Sequence, residues 1–283
     1  MMTKPHVSHP AQSGAESVTR LDPLWTRIRL DAQTAAKHEP ALAGLMQSAV
    51  LDHDGFATAV IGRLACRLAH PAVSYEVLMS TLGDLVSLDP LLTEGMVADC
   101  LAVADRDPAC TRLLEPLLYF KGYHALQTHR FAHTLWQAGR HDFALYLQSR
   151  SSEVFQTDIH PAARIGKGVF LDHATGLVVG STAVIEDDVS MLQDVTLGGT
   201  GKEGGDRHPK IRRGVLIGAG AKILGNIDIG QCARVAAGSV VLHDVPRNTT
   251  VAGVPAKVVG EAGCAEPART MDQILADKNI SDQ

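Results

Sequence analysis

The chain has 283 residues, of which 45% are hydrophobic, a formal net charge of −5 and a pI near 6.2. This apolar content can bury one large core or two modest ones, so the sequence predicts a soluble globular protein. The acidic balance argues against a nucleic-acid partner or an anionic membrane, since either partner needs a basic surface.

Residues 1–20 are polar and contain no continuous apolar stretch, which predicts a disordered polar tail and not a signal peptide. No segment of the sequence is long and apolar enough to span a membrane. The five cysteines are widely scattered, with neither a CxxC pair nor a Cys/His metal spacing. We therefore expect reduced thiols, a cytoplasmic location and no bound metal.

The composition changes sharply near residue 156. Eleven of the twelve aromatic residues precede this point, whereas eighteen of the twenty-six glycines follow it. Such a change predicts a domain boundary between residues 156 and 157.

The first half, residues 21–156, has the apolar spacing of α-helices, and its longest pattern runs over residues 116–138. Acid-proline pairs punctuate it, and each suits the start of a helix, where a carboxylate can accept free N–H groups. These pairs are Asp22-Pro23, Glu39-Pro40, Asp89-Pro90, Asp107-Pro108 and Glu115-Pro116. This half contains no catalytic motif, so we interpret it as an α-helical assembly domain.

The second half, residues 157–260, is a repeat in which an aliphatic residue recurs every six positions. A hexad is one short strand and a turn, and three hexads close a triangular coil whose aliphatic side chains point to its axis. The sequence thus predicts an all-α domain followed by a left-handed parallel β-helix, an α+β architecture. The aliphatic positions are Ile159, Ile165, Leu171, Val179, Ile185, Met191, Leu197, Ile211, Ile217, Ile223, Ile229, Val235 and Val241.

The repeat is interrupted once by a glycine-rich insertion. Leu197 and Ile211 are fourteen residues apart instead of twelve, and they enclose GGTGKEGGDRHPK. A loop that leaves the coil and returns to it is a candidate functional element.

Several motifs resemble those of the serine O-acetyltransferase family. They are TDIHPAARIGKG, LDHATGLVVG, VTLGGTGKEGGDRHPKIRRGVLIGAGAKILG and AGVPAKVVG in the second half, with RDPA and EPLLYFKGYHALQ in the first. The resemblance covers roughly residues 21–260, and both halves match in order. It implies transfer of an acetyl group from acetyl-CoA to the hydroxyl of L-serine, the first step of cysteine synthesis from serine.

The resemblance also implies an assembly and a set of site residues. The helical domains would join homotrimers into a homohexamer, and the active site would lie in the groove between neighbouring β-helices of a trimer. The implied catalytic residues are His173 as the base and Asp158 as its orienting carboxylate. The implied serine contacts are Asp107, Asp172, Arg207 and His208, and the implied acetyl-CoA contacts are Gly199, Ala219, Ala237 and Lys257.

Each of these residues also has a structural interpretation. His173 could pack at a corner of the coil, Asp158 could cap its entry, and Asp107 belongs to the acid-proline series. Arg207 and His208 could form a solvated loop tip. The three acetyl-CoA positions other than Lys257 are small residues, which the repeat itself favours.

Three other functions stay open on the sequence. A hexapeptide acetyltransferase could act on another small hydroxyl acceptor. Zinc carbonic anhydrases share the coil, and His160, His173 and His208 could supply three ligands across an interface, although Asp172 beside His173 fits such a site poorly. A non-catalytic scaffold would not need the acid-base pair.

Two partners follow from the resemblance. L-cysteine, which carries the same ammonium and carboxylate as serine, is expected to inhibit by competing for the serine contacts. In this family the extreme C-terminus, typically an isoleucine, enters the active site of O-acetylserine sulfhydrylase. Residues 261–283 here are predicted to be a flexible tail ending in Gln283, so we expect that complex to be weak or absent.

Overall fold

The computed structural model describes residues 13–201 and 204–275, with side-chain detail from residue 23 onward. The first helix begins at Ser13, inside the segment predicted as a disordered tail. The predictions for residues 1–12 and for Gln283 lie outside the described residues.

The first half is helical, and its apolar faces enclose one core that includes Ile28, Leu64, Leu78, Phe131 and Phe155. Of the helices described, none combines the length and the apolar character that crossing a bilayer requires. The helical segments are α1 (Ser13–His38), a 3-10 turn (Pro40–Leu42), α2 (Ala43–Met46), a π turn (Gln47–Leu51), α3 (Phe56–Leu68), α4 (Tyr75–Leu88), α5 (Pro90–Arg106), α6 (Leu114–Leu118), α7 (Lys121–Gln137) and α8 (His141–Phe155).

The acid-proline pairs do not all start helices. Asp89 does, because its carboxylate accepts a hydrogen bond of 3.0 Å from the Leu91 amide at the start of α5. For Asp107 the prediction is wrong, since this residue follows the last turn of α5 and accepts a 2.8 Å bond from the Ala109 amide in a turn. Glu115 lies within α6. The carboxylate of Asp107 is therefore not committed to capping a helix.

The second half is a triangular parallel β-helix, and the predicted hexads form its strands. The strands are β1 (Thr157–Ile159), β2 (Arg164–Ile165), β3 (Phe170–Leu171), β4 (Leu177–Val179), β5 (Val184–Ile185), β6 (Ser190–Met191), β7 (Thr196–Gly198), β8 (Lys210–Ile211), β9 (Leu216–Ile217), β10 (Lys222–Leu224), β11 (Asp228–Ile229), β12 (Arg234–Val235), β13 (Val240–Val241), β14 (Thr249–Gly253) and β15 (Ala256–Glu261). Consecutive strands fall on three different sheets, ordered β1-β4-β7-β10-β13, β2-β5-β8-β11 and β3-β6-β9-β12-β14, with β15 pairing antiparallel to β14.

The repeating aliphatic residues fill the axis of the coil, as the hexads predict. Ile185, Met191, Ile217 and Val235 are each at most 1% exposed, and Ile165 packs against the same core from a partly buried position. The strand register places similar residues above one another in successive coils, for example Ile185 beside Ile211. The α+β fold with a hexapeptide-repeat β-helix is confirmed.

A buried ion pair fastens the helices to the first coil. Asp99 of α5 is fully buried and accepts bonds from Arg130 Nε (2.8 Å) and Nη2 (2.9 Å), from Gln127 Nε2 (2.9 Å) and from the Val169 amide (3.1 Å). Arg130 of α7 also donates to the Gly166 carbonyl at 2.6 Å. Both charges thus find polar partners on the coil as well as on the helices.

Part of the segment predicted as a flexible tail (residues 261–283) falls within the described residues, and residues 262–275 make contacts with the rest of the molecule. A short helix, α9 (Pro267–Thr270), lies against α5 and β9. The Ala268 carbonyl accepts a 2.7 Å bond from Ser190 Oγ, and Arg269 pairs with Asp105 at 2.8 Å. These contacts are made with partners far away in sequence, so the polar composition of the segment does not reveal them.

We predict that Arg130→Met destabilises the protein by about 3–5 kcal/mol, because it leaves the buried Asp99 charge without its counter-ion. Urea unfolding followed by circular dichroism measures this loss. Arg213→Met is the matched control, since Arg213 pairs with Asp188 on the exposed surface and its removal should be nearly neutral. Equal stability of the two variants would contradict the proposed weight of the buried pair.

Candidate active site

His173 lies in a turn with unusual backbone angles between β3 and β4. His173 and Ala174 have φ values of 55° and 61°, in the left-handed region that non-glycine residues seldom occupy. The His173 side chain is 70% exposed, and its Nε2 lies 3.7 Å from Asp172 Oδ1. The turn therefore presents an accessible imidazole beside a carboxylate, and the ring does not pack into the coil.

The start of α7 shapes this turn. A Cβ on Gly122 would lie 2.0 Å from the Leu171 carbonyl oxygen, so only glycine lets the helix approach the coil this closely. Next to it, Lys121 Nζ donates to Thr175 Oγ1 and, at 3.4 Å, to Gln156 Oε1. Lys121 stands in the EPLLYFKGYHALQ motif, but the sequence does not predict its contact with the turn, because its partner there is 54 residues away.

One cavity of about 450 Å³ brings together three of the predicted site residues. Asp107, at the end of α5, and Asp172 line it together with His173, and Lys121 and Thr175 complete its wall. Two carboxylates and an imidazole in one pocket suit a ligand that carries an ammonium group and a hydroxyl.

The charge of Asp172 depends on this pocket. Burial raises the pKa of the Asp172 carboxyl above its ordinary value; His173 opposes the shift, and the neighbouring Asp107 carboxylate adds to it. Asp172 thus takes up a proton more readily than an isolated aspartate does.

A second group of predicted residues lies at the next corner of the triangle. Asp158, on the exposed side of β1, accepts a 2.6 Å bond from Gln148 Nε2 of α8. His160 follows β1, and burial lowers the pKa of its imidazole, with Asp158 opposing the shift and Arg207 adding to it. Asp158, His160 and Arg207 therefore share one electrostatic neighbourhood.

The base of the glycine-rich insertion, residues 198–210, belongs to this second group. His208 is 6% exposed, and its ring lies so close to Gly180 that a Cβ there would be 2.0 Å from Nε2. Arg207 is half-buried, and its amide donates to Thr182 Oγ1 at 3.1 Å. Arg207 and His208 are thus held against the coil and do not form a solvated tip.

Within one chain, the two groups lie on opposite edges of the β1-β4-β7-β10-β13 sheet. His173 occupies the corner before β4, whereas Asp158 and His160 lead into the corner after β1. Asp158 is hydrogen-bonded to Gln148, and among the described residues no hydrogen bond joins it to His173. Each chain therefore presents two separate groups of candidate site residues, called half-sites below.

The positions predicted to contact acetyl-CoA divide between the same corners. Ala219 and Ala237 occupy successive coils of the His173 corner, where the Gly238 amide donates to the Ala219 carbonyl at 2.8 Å. Gly199 lies at the other corner, where a Cβ would be 3.2 Å from Arg207 Cδ. Lys257 is exposed on β15. Among the side chains described, those of residues 23–201 and 204–275, no three of His, Cys, Asp or Glu gather closely enough to hold a metal ion.

A β-helix of hexapeptide repeats with an exposed histidine beside a corner of small residues defines an acyltransferase of the hexapeptide-repeat class. Two sequence families match the chain, "Serine acetyltransferase, N-terminal" over residues 24–128 and "Bacterial transferase hexapeptide (six repeats)" over residues 208–243. The serine acetyltransferase of Escherichia coli K12 is 51% identical over 257 residues, which are 91% of this chain and 94% of that protein. The chain belongs to the serine acetyltransferase family and is an acetyltransferase.

Two solved structures are similar along most of the chain. One is the Brucella abortus serine acetyltransferase in complex with coenzyme A, 58% identical with a TM-score of 0.86, covering 87% of this chain and 99% of that one. The other is the soybean serine acetyltransferase complexed with serine, 52% identical with a TM-score of 0.82, covering 83% and 97%.

We predict that Asp107→Asn lowers the pKa of Asp172, because it removes a like charge from the pocket. The carboxyl ¹³C chemical shift of Asp172, followed by NMR as the pH is changed, measures this pKa directly. Asp105→Asn is the control, since Asp105 pairs with Arg269 outside the cavity and should leave the pKa of Asp172 in place. An unshifted Asp172 titration in Asp107→Asn would disprove the coupling.

Proposed function

We propose that this enzyme transfers the acetyl group of acetyl-CoA to the hydroxyl of L-serine, giving O-acetyl-L-serine and CoA. The observation that carries the proposal is the cavity in which the exposed His173 stands beside Asp107 and Asp172. The names and ligands of the similar proteins agree with this substrate pair. Initial rates with serine, homoserine and a hydroxylated sugar test the choice of acceptor, and a preference for another acceptor would overturn it.

In the proposed mechanism His173 is the general base. The serine hydroxyl is too weak an acid to ionise beforehand, so its proton passes to the imidazole while the oxygen attacks the thioester carbonyl. The tetrahedral intermediate then collapses with cleavage of the C–S bond. His173 returns the proton to the leaving thiolate, which balances the reaction without a covalent acyl-enzyme.

The other site residues hold the amino acid. Asp107 and Asp172 supply negative charge for the serine ammonium, and Arg207 can bind its carboxylate with two parallel hydrogen bonds. L-cysteine offers the same two charged groups, so we propose that it competes with serine at this site. Bound cysteine would then fill the pocket without presenting the serine hydroxyl that accepts the acetyl group.

The two half-sites lead us to propose a site shared between chains. Around the three-fold axis of a closed trimer, the corner with Asp158, Arg207 and His208 on one chain would face the corner with His173 on the next. Asp158 would then orient His173 across this groove. The helical domains would join two such trimers into a hexamer.

The His173 corner also suits the thioester arm of acetyl-CoA. Ala219 and Ala237 have short side chains on the coils beyond His173, so the amide-bearing arm can reach backbone groups there. We propose that the arm follows this corner, that Gly199 borders it from the neighbouring chain, and that Lys257 meets the phosphates. Because the protein as a whole is acidic, such a local cation is needed for an anionic cofactor.

We predict that His173→Asn lowers turnover by about 10²–10⁴-fold, the usual value of a positioned general base. Asparagine is the replacement of choice because it tolerates the positive φ of this residue, so the turn should keep its shape. Steady-state kinetics measures the loss. His243→Asn, at an exposed position after β13, is the control and should retain wild-type turnover. Near-normal turnover of His173→Asn would eliminate the mechanism.

We also predict that two inactive variants restore activity when they assemble together. His173→Asn and Arg207→Ala chains, co-expressed with different tags and purified through both, should recover about a quarter to a third of the wild-type rate. Every mixed trimer has one intact groove in three, and an unmixed trimer within a hexamer has none. Each variant expressed alone is the control. If both halves came from one chain, the mixed trimers would stay inactive.

A further inference from the structure

We propose that Thr182 is a positioning residue that holds His208 in one neutral tautomer, with its proton on Nε2, so that His208 is a hydrogen-bond donor at the reacting centre and not a second base. Thr182 lies in the coil between β4 and β5, and His208 lies 26 residues later at the base of the insertion. The assignment of the tautomer stands on the geometry alone, whereas the donor role rests on the proposed function.

Three nitrogen atoms lie within hydrogen-bonding distance of the Thr182 hydroxyl. Its oxygen accepts bonds of 3.1 Å from the Arg207 amide and 3.1 Å from the His208 amide. A hydroxyl has two acceptor lone pairs and one proton, so both lone pairs are occupied. The Asp206 carboxylate also faces the hydroxyl, but of the acceptors left for the proton only His208 Nδ1, at 2.8 Å, lies within hydrogen-bonding distance, so the hydroxyl donates to the ring.

The second step is the Thr182 amide, which lies 3.2 Å from the same Nδ1 atom. A backbone N–H can only donate, so the amide and the hydroxyl both require an unprotonated Nδ1. The neutral ring then carries its proton on Nε2. Moving that proton to Nδ1 would place three donors against one another and would forfeit both bonds.

The third step is the charge of the ring. Burial lowers the pKa of the His208 imidazole, and the cations Arg207 and Lys210 lower it further, while Asp206 opposes them and His160 adds a smaller lowering effect. The neutral form of the His208 imidazole is therefore favoured over the protonated form. A neutral ring with hydrogen on Nε2 has no free lone pair with which to accept a proton from serine.

The two histidines of the proposed site thus have different tasks. His173 is exposed and can accept and return a proton, whereas His208 is clamped and can only donate a hydrogen bond. The hydroxyl of Thr182 also anchors the backbone of Arg207, so one side chain positions both functional residues of the insertion. Lys210, whose Nζ donates to the Thr182 carbonyl at 2.9 Å, closes the same base.

The tautomer is tested by nitrogen NMR on the full-length protein labelled with ¹⁵N-histidine, with His208→Asn used to assign the signals. We expect an unprotonated Nδ1 and a protonated Nε2 at neutral pH in the wild type and in Thr182→Ser, and a mixture of tautomers in Thr182→Val. His160 is an internal reference, because its Nδ1 accepts a 3.0 Å bond from the Ala162 amide and should not respond to Thr182. A wild-type His208 with its proton on Nδ1 would overturn the proposal, whatever the enzyme acetylates.

The donor role is tested by kinetics with serine and acetyl-CoA. Thr182→Val should lose about tenfold to hundredfold in kcat, as expected when a preorganised donor is misplaced, and Thr182→Ser should restore it. Gly180→Ala provides a second route, since its methyl group must push the His208 ring aside while the Thr182 hydroxyl stays. An altered tautomer in Thr182→Val with unchanged kcat would refute the donor role. A wild-type enzyme that prefers another acceptor to serine would refute the proposed function instead.

Discussion

The buried pair between Asp99 and Arg130 is the interaction on which the arrangement of the two halves depends. It fixes α5 and α7 against the first coil, because both side chains also bond to coil backbone at Val169 and Gly166. The far ends of the same helices carry the cavity residues: Asp107 follows the last turn of α5, and α7 begins at Lys121. A charge pair that is costly to bury thus aligns two helices with one turn of the coil.

The sequence predicts the coil well because its signal is local and repeated. Each hexad needs an aliphatic side chain that faces the axis, and thirteen positions of the sequence meet this requirement. The pocket around His173 was predicted only through a resemblance, since no spacing rule connects Asp107 with Asp172. Lys121 and Thr182 act through partners 54 and 26 residues away, across a helix junction and an insertion, and no local pattern records such contacts. The packing of α9 was missed for the same reason.

Most candidate site residues of the coil lie at the corners of the triangle; Asp158 on the outward side of β1 and Lys257 on β15 are the exceptions. Strand residues that face the axis must be apolar, and every strand residue keeps an extended backbone. Only the turns can therefore adopt left-handed backbone angles. His173 and Ala174 use that freedom with positive φ values, and the insertion at residues 198–210 uses it by leaving the coil. Different corners thus carry different side chains, and the two groups of candidate site residues lie on opposite edges of one sheet.

The coils stack at a constant spacing, so the number of coils fixes the distances along each edge of the triangle. Successive coils are separated by about 4.8 Å, so Ala237, three coils beyond His173, lies about 14 Å farther along the same edge. Duplication of a whole coil would preserve every hexad and every backbone bond while moving one end of this edge by a single step. Gain or loss of a coil would therefore change the distance between His173 and the far end of this edge in steps of about 4.8 Å, while the packing of the axis stays the same.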